Sequence, residues 1–352
     1  MDRDTFCKLL RHYGIPPKIA DLIRKSYAGM TSKVVHEGRL TKEFEVKTGV
    51  RQGCLLSPFL FLLAIDWIMK SATTGKKNGI QWTMWKQLDD LDFADDIALL
   101  SHSHQQMKEK IGDVWRISRQ TGLNLHKGKT KLLKSNTTMM EPLLLESETI
   151  EEVESFTYLG SVVDKLGGTD ADIKTRICKA RTAFIQLNNL WKSKEIGRRT
   201  KLRLFNSNVK SVLLYGAETW RTTKGNSKKI QTFINTCLRK IMNIRWPEKI
   251  SNINLWQRTN QNPIDTDIMQ RKWRWLGHTL RKPQDNITRT ALTWNPQGKR
   301  RKGRPRNTWR RDLSLDMADM GMGWPQLVTA AQDRRNWRLV VDGLTFRRRN
   351  GP

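Results

Sequence analysis

The sequence contains few cysteines, few acidic residues and no long apolar run. Its four cysteines, Cys7, Cys54, Cys178 and Cys237, lie far apart and form no CxxC pair, which argues against a disulfide framework and against a zinc finger. No apolar run reaches the roughly 18 residues of a membrane span, and the N-terminus MDRDTFCKLL lacks the pattern of a signal peptide. We therefore expect a soluble protein in a reducing, intracellular compartment.

Positive charge is abundant and concentrated towards the C-terminus. The 352 residues include 64 Lys and Arg against 34 Asp and Glu, a net charge of +30. Residues 1–200 carry a net +8 and residues 201–352 a net +22, and nine of the 14 tryptophans follow residue 200. Such an excess implies an acidic partner, and tryptophan beside arginine and lysine suits stacking on nucleic-acid bases.

Hydrophobic periodicity predicts helices and short strands in the first half of the chain. Residues 4–27 show helical spacing broken by Gly14 and the Pro16-Pro17 pair, and residues 32–50 show the period of a hairpin around Glu37-Gly38. A helix over 55–69 is expected to begin with Ser57-Pro58 as its cap. The segment LDDLDFADDIALLS at 88–101 reads as two strands joined by an acidic turn, followed by a helix over 104–121. This order predicts an α+β domain.

The second half is predicted to be helical. An amphipathic pattern begins at Ile173 and continues through Phe184 to Trp191. Two further helices are expected at about 201–215 and 228–244, and a last one near 324–341. Residues 299–311 hold eight Lys or Arg in thirteen positions, which indicates an extended basic arm.

Two adjacent carboxylates form the strongest chemical signal. Asp95 and Asp96 lie between apolar runs in the sequence FADD, and burying two like charges is costly unless a cation offsets them. Mg²⁺ is held by one or two carboxylates together with the phosphates of a substrate. The alternative is a solvated hairpin turn, in which Asp is common.

A glycine-bearing polar loop precedes the helix over 55–69. Arg51 supplies a bidentate phosphate donor, Gln52 can donate to and accept from a sugar or a base edge, and Gly53 lets the backbone approach a ligand. The alternative is an ordinary connection between a strand and a helix.

Four motifs occur in a fixed order: RQGCLLSP, FADD, GLNLHKGKTK and FTYLGS. Together they resemble the reverse transcriptase of non-LTR retrotransposons, and LLYGAETW, WRWLGHTLRK and GKRRKGRPRNTW resemble the RTE-like branch further along the chain. The resemblance implies a right-hand polymerase: a partial palm over 1–165, a helical thumb-like region over 166–246 and a basic Trp-rich nucleic-acid-binding region over 247–352.

The resemblance also assigns roles to residues. Asp95 and Asp96 match the metal-binding pair for two Mg²⁺ ions, and Arg51, Gln52 and Gly53 match the loop beside the incoming nucleotide. One of Lys127, Lys129 and Lys131 would neutralise or protonate the departing pyrophosphate; we assign Lys129, although a solvated face is the alternative for all three. The primer-grip hairpin is matched by four residues: Phe156, Tyr158, Leu159 and Gly160. The alternative for Phe156, Tyr158 and Leu159 is that they pack in the core.

One carboxylate of the family's catalytic set has no match here. In the family it lies in an Ala-Phe-Asp segment followed closely by Val-Asp-Arg, and this chain opens Met1-Asp2-Arg3, which matches only the end of that pattern. The missing aspartate would lie about two residues before Met1. We therefore expect a truncated retrotransposon reading frame that is inactive in polymerisation on its own.

The basic C-terminal region suggests binding of nucleic acid without catalysis as the competing function. Candidate contacts are the stacking and gripping segment Arg271, Lys272, Trp273, Arg274 and Trp275, and the minor-groove arginines Arg304 and Arg306 of an AT-hook-like core. The alternatives are that the tryptophans pack a small core and that the tract is solvated. For the polymerase, the expected partners are an RNA template, a DNA primer and deoxynucleotides, and for the binding protein they are RNA or DNA. No membrane is expected as a partner, and the expected location is the nucleus after passage through the cytoplasm.

Overall fold

A computed structural model of the chain describes residues 3–137, 139–295 and 308–350. Helices and short strands are mixed, which confirms the predicted α+β class. The chain divides into two compact units, residues 1–154 and 155–352. Neither the 165 nor the 246 boundary coincides with this division, and the three functional regions remain a prediction.

The first unit contains four helices and twelve short strands among its described residues. The helices are α1 (Arg3–His12), α2 (Pro17–Tyr27), α3 (Ser57–Thr73) and α4 (His104–Gln120). The strands are β1 (Thr31–Ser32), β2 (Val35–His36), β3 (Arg39–Leu40), β4 (Phe44–Glu45), β5 (Ile80–Gln81), β6 (Gln87–Leu88), β7 (Asp90–Phe93), β8 (Asp96–Leu99), β9 (Lys131–Leu132), β10 (Leu144–Leu145), β11 (Glu148–Thr149) and β12 (Glu151–Glu152).

Local sequence explains most of these boundaries. Gly14 has φ +77° and Pro17 is the first residue of α2, so the chain turns between two helices as predicted. Glu37 and Gly38 both have positive φ and join β2 to β3 in a two-residue hairpin. The expected cap at α3 differs in detail. Ser57 is the first helical residue rather than the cap, and its hydroxyl lies 3.3 Å from the Tyr27 hydroxyl, where it is buried.

Three apolar clusters form the core of the first unit. One packs α1 and α2 against α3, the second packs α3 against α4, and the third joins α4 to the short strands after residue 131. The hairpin β7–β8 contributes Ile97 and Leu99 to these clusters. Its acidic turn therefore stands on a packed base.

The second unit begins with a hairpin and continues as helices. The strands are β13 (Ser155–Tyr158) and β14 (Ser161–Asp164). The helices are α5 (Asp170–Gln186), α6 (Asn188–Lys192), α7 (Arg198–Leu204), α8 (Ser211–Leu213), α9 (Lys224–Ile241), α10 (Asn252–Thr259), α11 (Ile264–Leu280), α12 (Ile287–Thr293), α13 (Trp309–Met320), α14 (Trp324–Gln332) and α15 (Arg334–Asn350). A π-helical segment, Phe205–Lys210, joins α7 to α8 without a break.

Two apolar clusters form the core of the second unit, and α11 contributes to both. Ile264 and Ile268 pack with α5 and α9, whereas Trp273 and Leu276 pack with α13, α14 and α15. The apolar positions predicted from Ile173 to Trp191 do face the first cluster. The single helix expected at about 324–341 is two helices, α14 and α15, which meet at Asp333.

Candidate active site and nucleic-acid interface

The two candidate metal ligands lie on the tip of the β7–β8 hairpin. Phe93 pairs with Asp96, so Ala94 and Asp95 form a two-residue turn, and Ala94 has φ +55°. Both carboxylates are exposed. In the part of the chain that the structure describes, neither of them forms a hydrogen bond or an ion pair with a cationic side chain. The turn thus presents two adjacent anionic groups with no counter-ion from the described protein.

A buried lysine holds the base of this hairpin. Lys110 on α4 is 1% exposed, and its ammonium group donates to Asp89 Oδ1 at 2.8 Å and to the Leu100 carbonyl oxygen at 2.6 Å. Desolvation lowers the pKa of Lys110 despite the nearby Asp89 carboxylate. Asp89 and Leu100 flank the two strands, so Lys110 clamps both of them. Sequence reasoning missed this residue because a lysine within an amphipathic helix reads as part of a solvated face.

Two further carboxylates lie on β7. Asp90 and Asp92 are two residues apart in a strand and therefore share a face. Desolvation, together with the negative charges of Asp90 and Asp66, raises the pKa of Asp92 to about 7. The pKa of Asp90 is also raised, first by desolvation. The alternation in LDDLDF could have identified Asp90 and Asp92 from the sequence. The adjacent carboxylates of FADD were chosen as the candidate site instead.

The glycine-bearing loop is held against the end of α2. Arg51 Nε donates to the Met30 sulfur at 2.9 Å, and Arg51 lies over the Tyr27 ring at 5.9 Å from its centroid. Gln52 is exposed, and Gly53 has φ +77°, a conformation that favours glycine. Within the described residues, Arg51 forms no ion pair with Asp95 or Asp96.

The three candidate lysines differ in their partners. Lys127 pairs with Glu146 and with Glu148, the latter at 2.7 Å, and Lys131 pairs with Glu151. Lys129 is exposed and forms no ion pair with any residue in the described ranges. Of the three, Lys129 is the one whose ammonium group is available to a ligand.

The candidate primer-grip hairpin belongs to the second unit. Leu159 and Gly160 form its turn with φ +48° and +82°. The Tyr215 hydroxyl donates to the Leu159 carbonyl at 3.0 Å, and the Arg176 guanidinium donates to the Gly160 carbonyl at 2.6 Å. Phe156 and Tyr158 are half-buried, with ring centroids 6.4 Å apart. The turn is therefore fixed to the helices that follow it.

The expected stacking segment on α11 is divided by the helix. Trp273 is fully buried, with its indole Nε1 donating to Asp316 at 3.0 Å, and Lys272 is 3% exposed beside Asp312. Trp275 is half-buried and meets Trp309 edge to face at 6.0 Å. These three residues pack the core, because the five candidates span more than one turn of the helix and cannot all face solvent. Of the five candidates, only Arg271 and Arg274 are exposed, and Arg304 and Arg306 lie outside the described residues.

A groove lined by cationic side chains runs between α5 and α9. Its volume is about 1300 Å³, and its apolar floor includes Ile177 and Phe233. Five cationic side chains line it: Lys174, Arg181, Lys228, Lys229 and Lys240. A neighbouring cavity of about 920 Å³ shares Phe184 and Lys240 with the groove and has no acidic residue in its lining. We call the two cavities together the basic groove.

The residues fit one Mg²⁺ ion better than two. Asp95 and Asp96 offer the carboxylate oxygens that Mg²⁺ prefers, and the ion completes its shell with water and substrate phosphates. In residues 3–137, 139–295 and 308–350, no three His, Cys, Asp or Glu side chains come together as a metal-binding group. A second ion therefore needs a carboxylate beyond this pair.

No described helix is both long and apolar enough to traverse a bilayer.

Comparison with known families now adds to this geometry. Residues 2–163 match the family model described as reverse transcriptase (RNA-dependent DNA polymerase), and residues 183–215 match one described as a domain of unknown function. The first match contains Arg51, Asp95, Asp96 and Lys129. It ends at the β13–β14 hairpin.

Individual relatives are similarly related to mobile elements. A putative transposon-derived protein of Caenorhabditis elegans is 24% identical over 73% of this chain and 96% of its own length. A retrovirus-related Pol polyprotein from a type-1 retrotransposable element of Popillia japonica is 25% identical over 68% of this chain, and one from a type-2 element of Drosophila melanogaster is 27% identical over 46%. The matches span 34% and 14% of those two polyproteins. Residues 2–163 are therefore similar to reverse transcriptase domains, and the relatives are named for transposons and retrotransposable elements.

Proposed function

We propose that the first unit is the palm of an RNA-directed DNA polymerase in which Asp95 and Asp96 bind Mg²⁺. The observation that carries this proposal is the hairpin turn with its two adjacent carboxylates. Among the described residues they have no cationic partner, and Lys110 binds the base of the hairpin. Several other carboxylates in the unit are paired with cationic side chains, for example Asp113 with Arg116 at 3.0 Å. Two adjacent carboxylates without a cationic partner are suited to a metal ion that also contacts phosphate.

The bound metal supplies charge stabilisation for attack of a primer hydroxyl on a nucleotide. The chain's own residues bind and orient the reactants around it. Arg51 donates to the nucleotide's phosphates, Gln52 contacts its sugar or base edge, and Gly53 allows the backbone to come close. Lys129 carries the positive charge that meets the departing pyrophosphate. The β13–β14 hairpin positions the primer, and the basic groove holds the template-primer duplex as the thumb of the polymerase.

We further propose that this chain does not sustain polymerisation by itself. Asp95 and Asp96 would hold one ion, whereas nucleotidyl transfer uses two ions roughly 4 Å apart. A third carboxylate, on a strand beside β7 and β8, would complete the set. The RTE-like origin and the location in the nucleus are part of the same proposal, and imaging of a tagged chain in cells tests the location.

The experiment compares primer extension by two proteins. One is this chain, and the other is the product of the longest reading frame that contains this chain in its transcript. Both are assayed on an RNA template with a DNA primer, deoxynucleotides and Mg²⁺. We expect extension only from the longer product, and we expect Asp95→Asn to abolish it while template-primer binding is retained. Asp21→Asn, which changes an exposed carboxylate of α2 in the same unit, is the matched control. Extension that survives Asp95→Asn would refute the site assignment, and steady extension by this chain alone would refute its incompleteness.

The second candidate function is binding of nucleic acid without catalysis. The basic groove favours it, because ten cationic side chains line the groove and Asp170 is the one acidic residue in the lining given by the described residues. Binding would be salt-dependent, since each phosphate contact releases counterions. Salt-sensitive binding that is unaffected by Asp95→Asn, without extension from either product, would favour this function over polymerisation.

A further inference from the structure

A polar cleft opens beside the π-helical segment of the second unit. The helix that runs from Arg198 to Leu213 changes from i→i+4 to wider i→i+5 hydrogen bonding over Phe205–Lys210. Such segments occur frequently at functional sites. The cleft has a volume of about 300 Å³ and lies between this segment and the start of α11. It is separate in its lining from the basic groove.

The lining combines carboxamides with cations. Its carboxamides include Asn206, Asn260 and Gln261, and its cations are Lys210, Arg271 and Arg274. Carboxamides both donate and accept hydrogen bonds, and guanidinium groups form bidentate contacts with phosphate. This is the composition of a site for a molecule that has an anionic part and a hydrogen-bonding edge.

The cations in the cleft are not equivalent. Lys210 is already engaged, because its ammonium group lies 2.5 Å from Asp267 Oδ2 and 2.9 Å from Gln261 Oε1. Arg271 makes one long hydrogen bond, 3.5 Å, to the Leu214 carbonyl. Within the described ranges, the side chains of Arg274 and Asn206 have no hydrogen bond or ion pair. Two guanidinium groups and one carboxamide are therefore able to donate hydrogen bonds to a ligand in the cleft.

The spacing of the two arginines fits a single phosphate. Arg271 and Arg274 are three residues apart on α11, so their side chains leave the same face of the helix. After Lys210 and Asp267 cancel, the cleft keeps a net charge of about +2, and both charges are exposed. A duplex would need a longer basic track, which the groove between α5 and α9 provides and this cleft does not.

We propose that the cleft binds one nucleotide of a single-stranded nucleic acid. Arg271 and Arg274 hold its phosphate, and Asn206 reads the edge of its base, as carboxamides do with adenine. This inference rests on nucleic-acid binding by the second unit, which is part of the proposed function, and adds to it a second contact for an unpaired strand. The same chemistry serves RNA and DNA, and the assay separates them.

The test is fluorescence anisotropy with labelled 20-mers of adenylate, uridylate or cytidylate, each as RNA and as DNA. We expect the double variant Arg271→Gln/Arg274→Gln to weaken single-strand binding about tenfold or more. The matched control is Arg335→Gln/Arg338→Gln, which removes two exposed arginines at the same spacing from α15 and is expected to change binding about twofold or less. Asn206→Ala is expected to reduce the preference among the three bases and to leave the salt dependence unchanged. Circular dichroism checks that every variant is folded.

The outcomes separate this inference from the function on which it rests. Equal loss of affinity in the cleft variant and in the α15 variant would overturn the cleft proposal. So would a preference among bases that survives Asn206→Ala. Arg181→Gln/Lys240→Gln in the basic groove reports on the proposed function, since it should weaken duplex binding more than single-strand binding. If the wild-type chain binds neither the duplex nor the single strand, the proposed function itself fails.

Discussion

The carboxylate of Asp172 accepts a hydrogen bond from the indole Nε1 of Trp220 at 2.8 Å, and both residues are buried. The other oxygen of Asp172 accepts from the Val162 backbone at 2.9 Å and lies 3.8 Å from Arg176 Nε. One buried side chain on the first turn of α5 thus connects the β13–β14 hairpin with the helices around it.

Replacing Asp172 should destabilise the second unit. Asp172→Ala leaves the Trp220 indole and the Val162 amide without their acceptor, and each buried unpaired donor costs about 1–3 kcal/mol. Asp172→Asn should cost less, because one acceptor oxygen remains. Urea unfolding followed by tryptophan fluorescence measures the difference. Asp170, two residues before Asp172, is an exposed partner of Arg221. Asp170→Asn should change the free energy of unfolding by about 0–1 kcal/mol. Equal effects at positions 170 and 172 would contradict the prediction.

Replacing Lys110 should release the base of the acidic hairpin. Lys110→Met removes the donor from Asp89 and from two backbone carbonyls, and breaking a buried ion pair from one side costs about 3–5 kcal/mol. Lys108→Met, an exposed change on the same helix, is the control and should be close to neutral. Hydrogen exchange of the β7–β8 amides should rise in Lys110→Met alone. Unchanged protection of these amides would show that the clamp is not needed.

The contribution of Asp92 to the stability of the first unit should decrease as the pH rises from about 4 to about 7. An Asp in the unfolded chain ionises near pH 3.9, whereas Asp92 in the folded unit keeps its proton until its pKa of about 7. Between these values the folded state binds more protons, so raising the pH favours unfolding. Asp92→Asn should therefore raise the melting temperature at pH 8 and leave it nearly unchanged at pH 4. Thermal scans in metal-free buffer test this, and a stabilisation that is equal at both pH values would contradict it.

The packing of α11 against α15 should exclude a side chain at Gly277. A Cβ at this position would overlap the indole of Trp337, whose Nε1 donates to the Trp273 carbonyl at 2.9 Å. Overpacking of this kind costs about 1–3 kcal/mol, occasionally more. Gly277→Ala should lower the free energy of unfolding accordingly. Gly343→Ala lies in open space on α15 and should stabilise by up to about 1 kcal/mol, since alanine favours helix. Tolerance of both changes would mean that the two helices do not pack as described.

Local pattern was sufficient for much of the fold. The break at Gly14 and Pro17, the hairpins at Glu37-Gly38 and at Ala94-Asp95, and the apolar stripe of α5 all follow from backbone preference or from one period of hydrophobicity. The acidic turn could be predicted for the same reason, because two carboxylates between apolar strands are recognisable from the local sequence alone. The motif could not show which of the candidate lysines is available to a ligand. In the structure, Lys127 and Lys131 form ion pairs with glutamates and Lys129 does not.

The sequence by itself determined the α+β class, the acidic hairpin and the basic character of the second half, because these depend on composition and on contacts close in the chain. Tertiary structure alone decided which face of α11 is exposed, and so turned Trp273 into core and left Arg271 and Arg274 beside the polar cleft. It also decided the partners of Lys110 and Asp172, which lie 21 and 48 residues away. The physical reason is that burial and ion pairing are set by elements distant in sequence, and no local period encodes them.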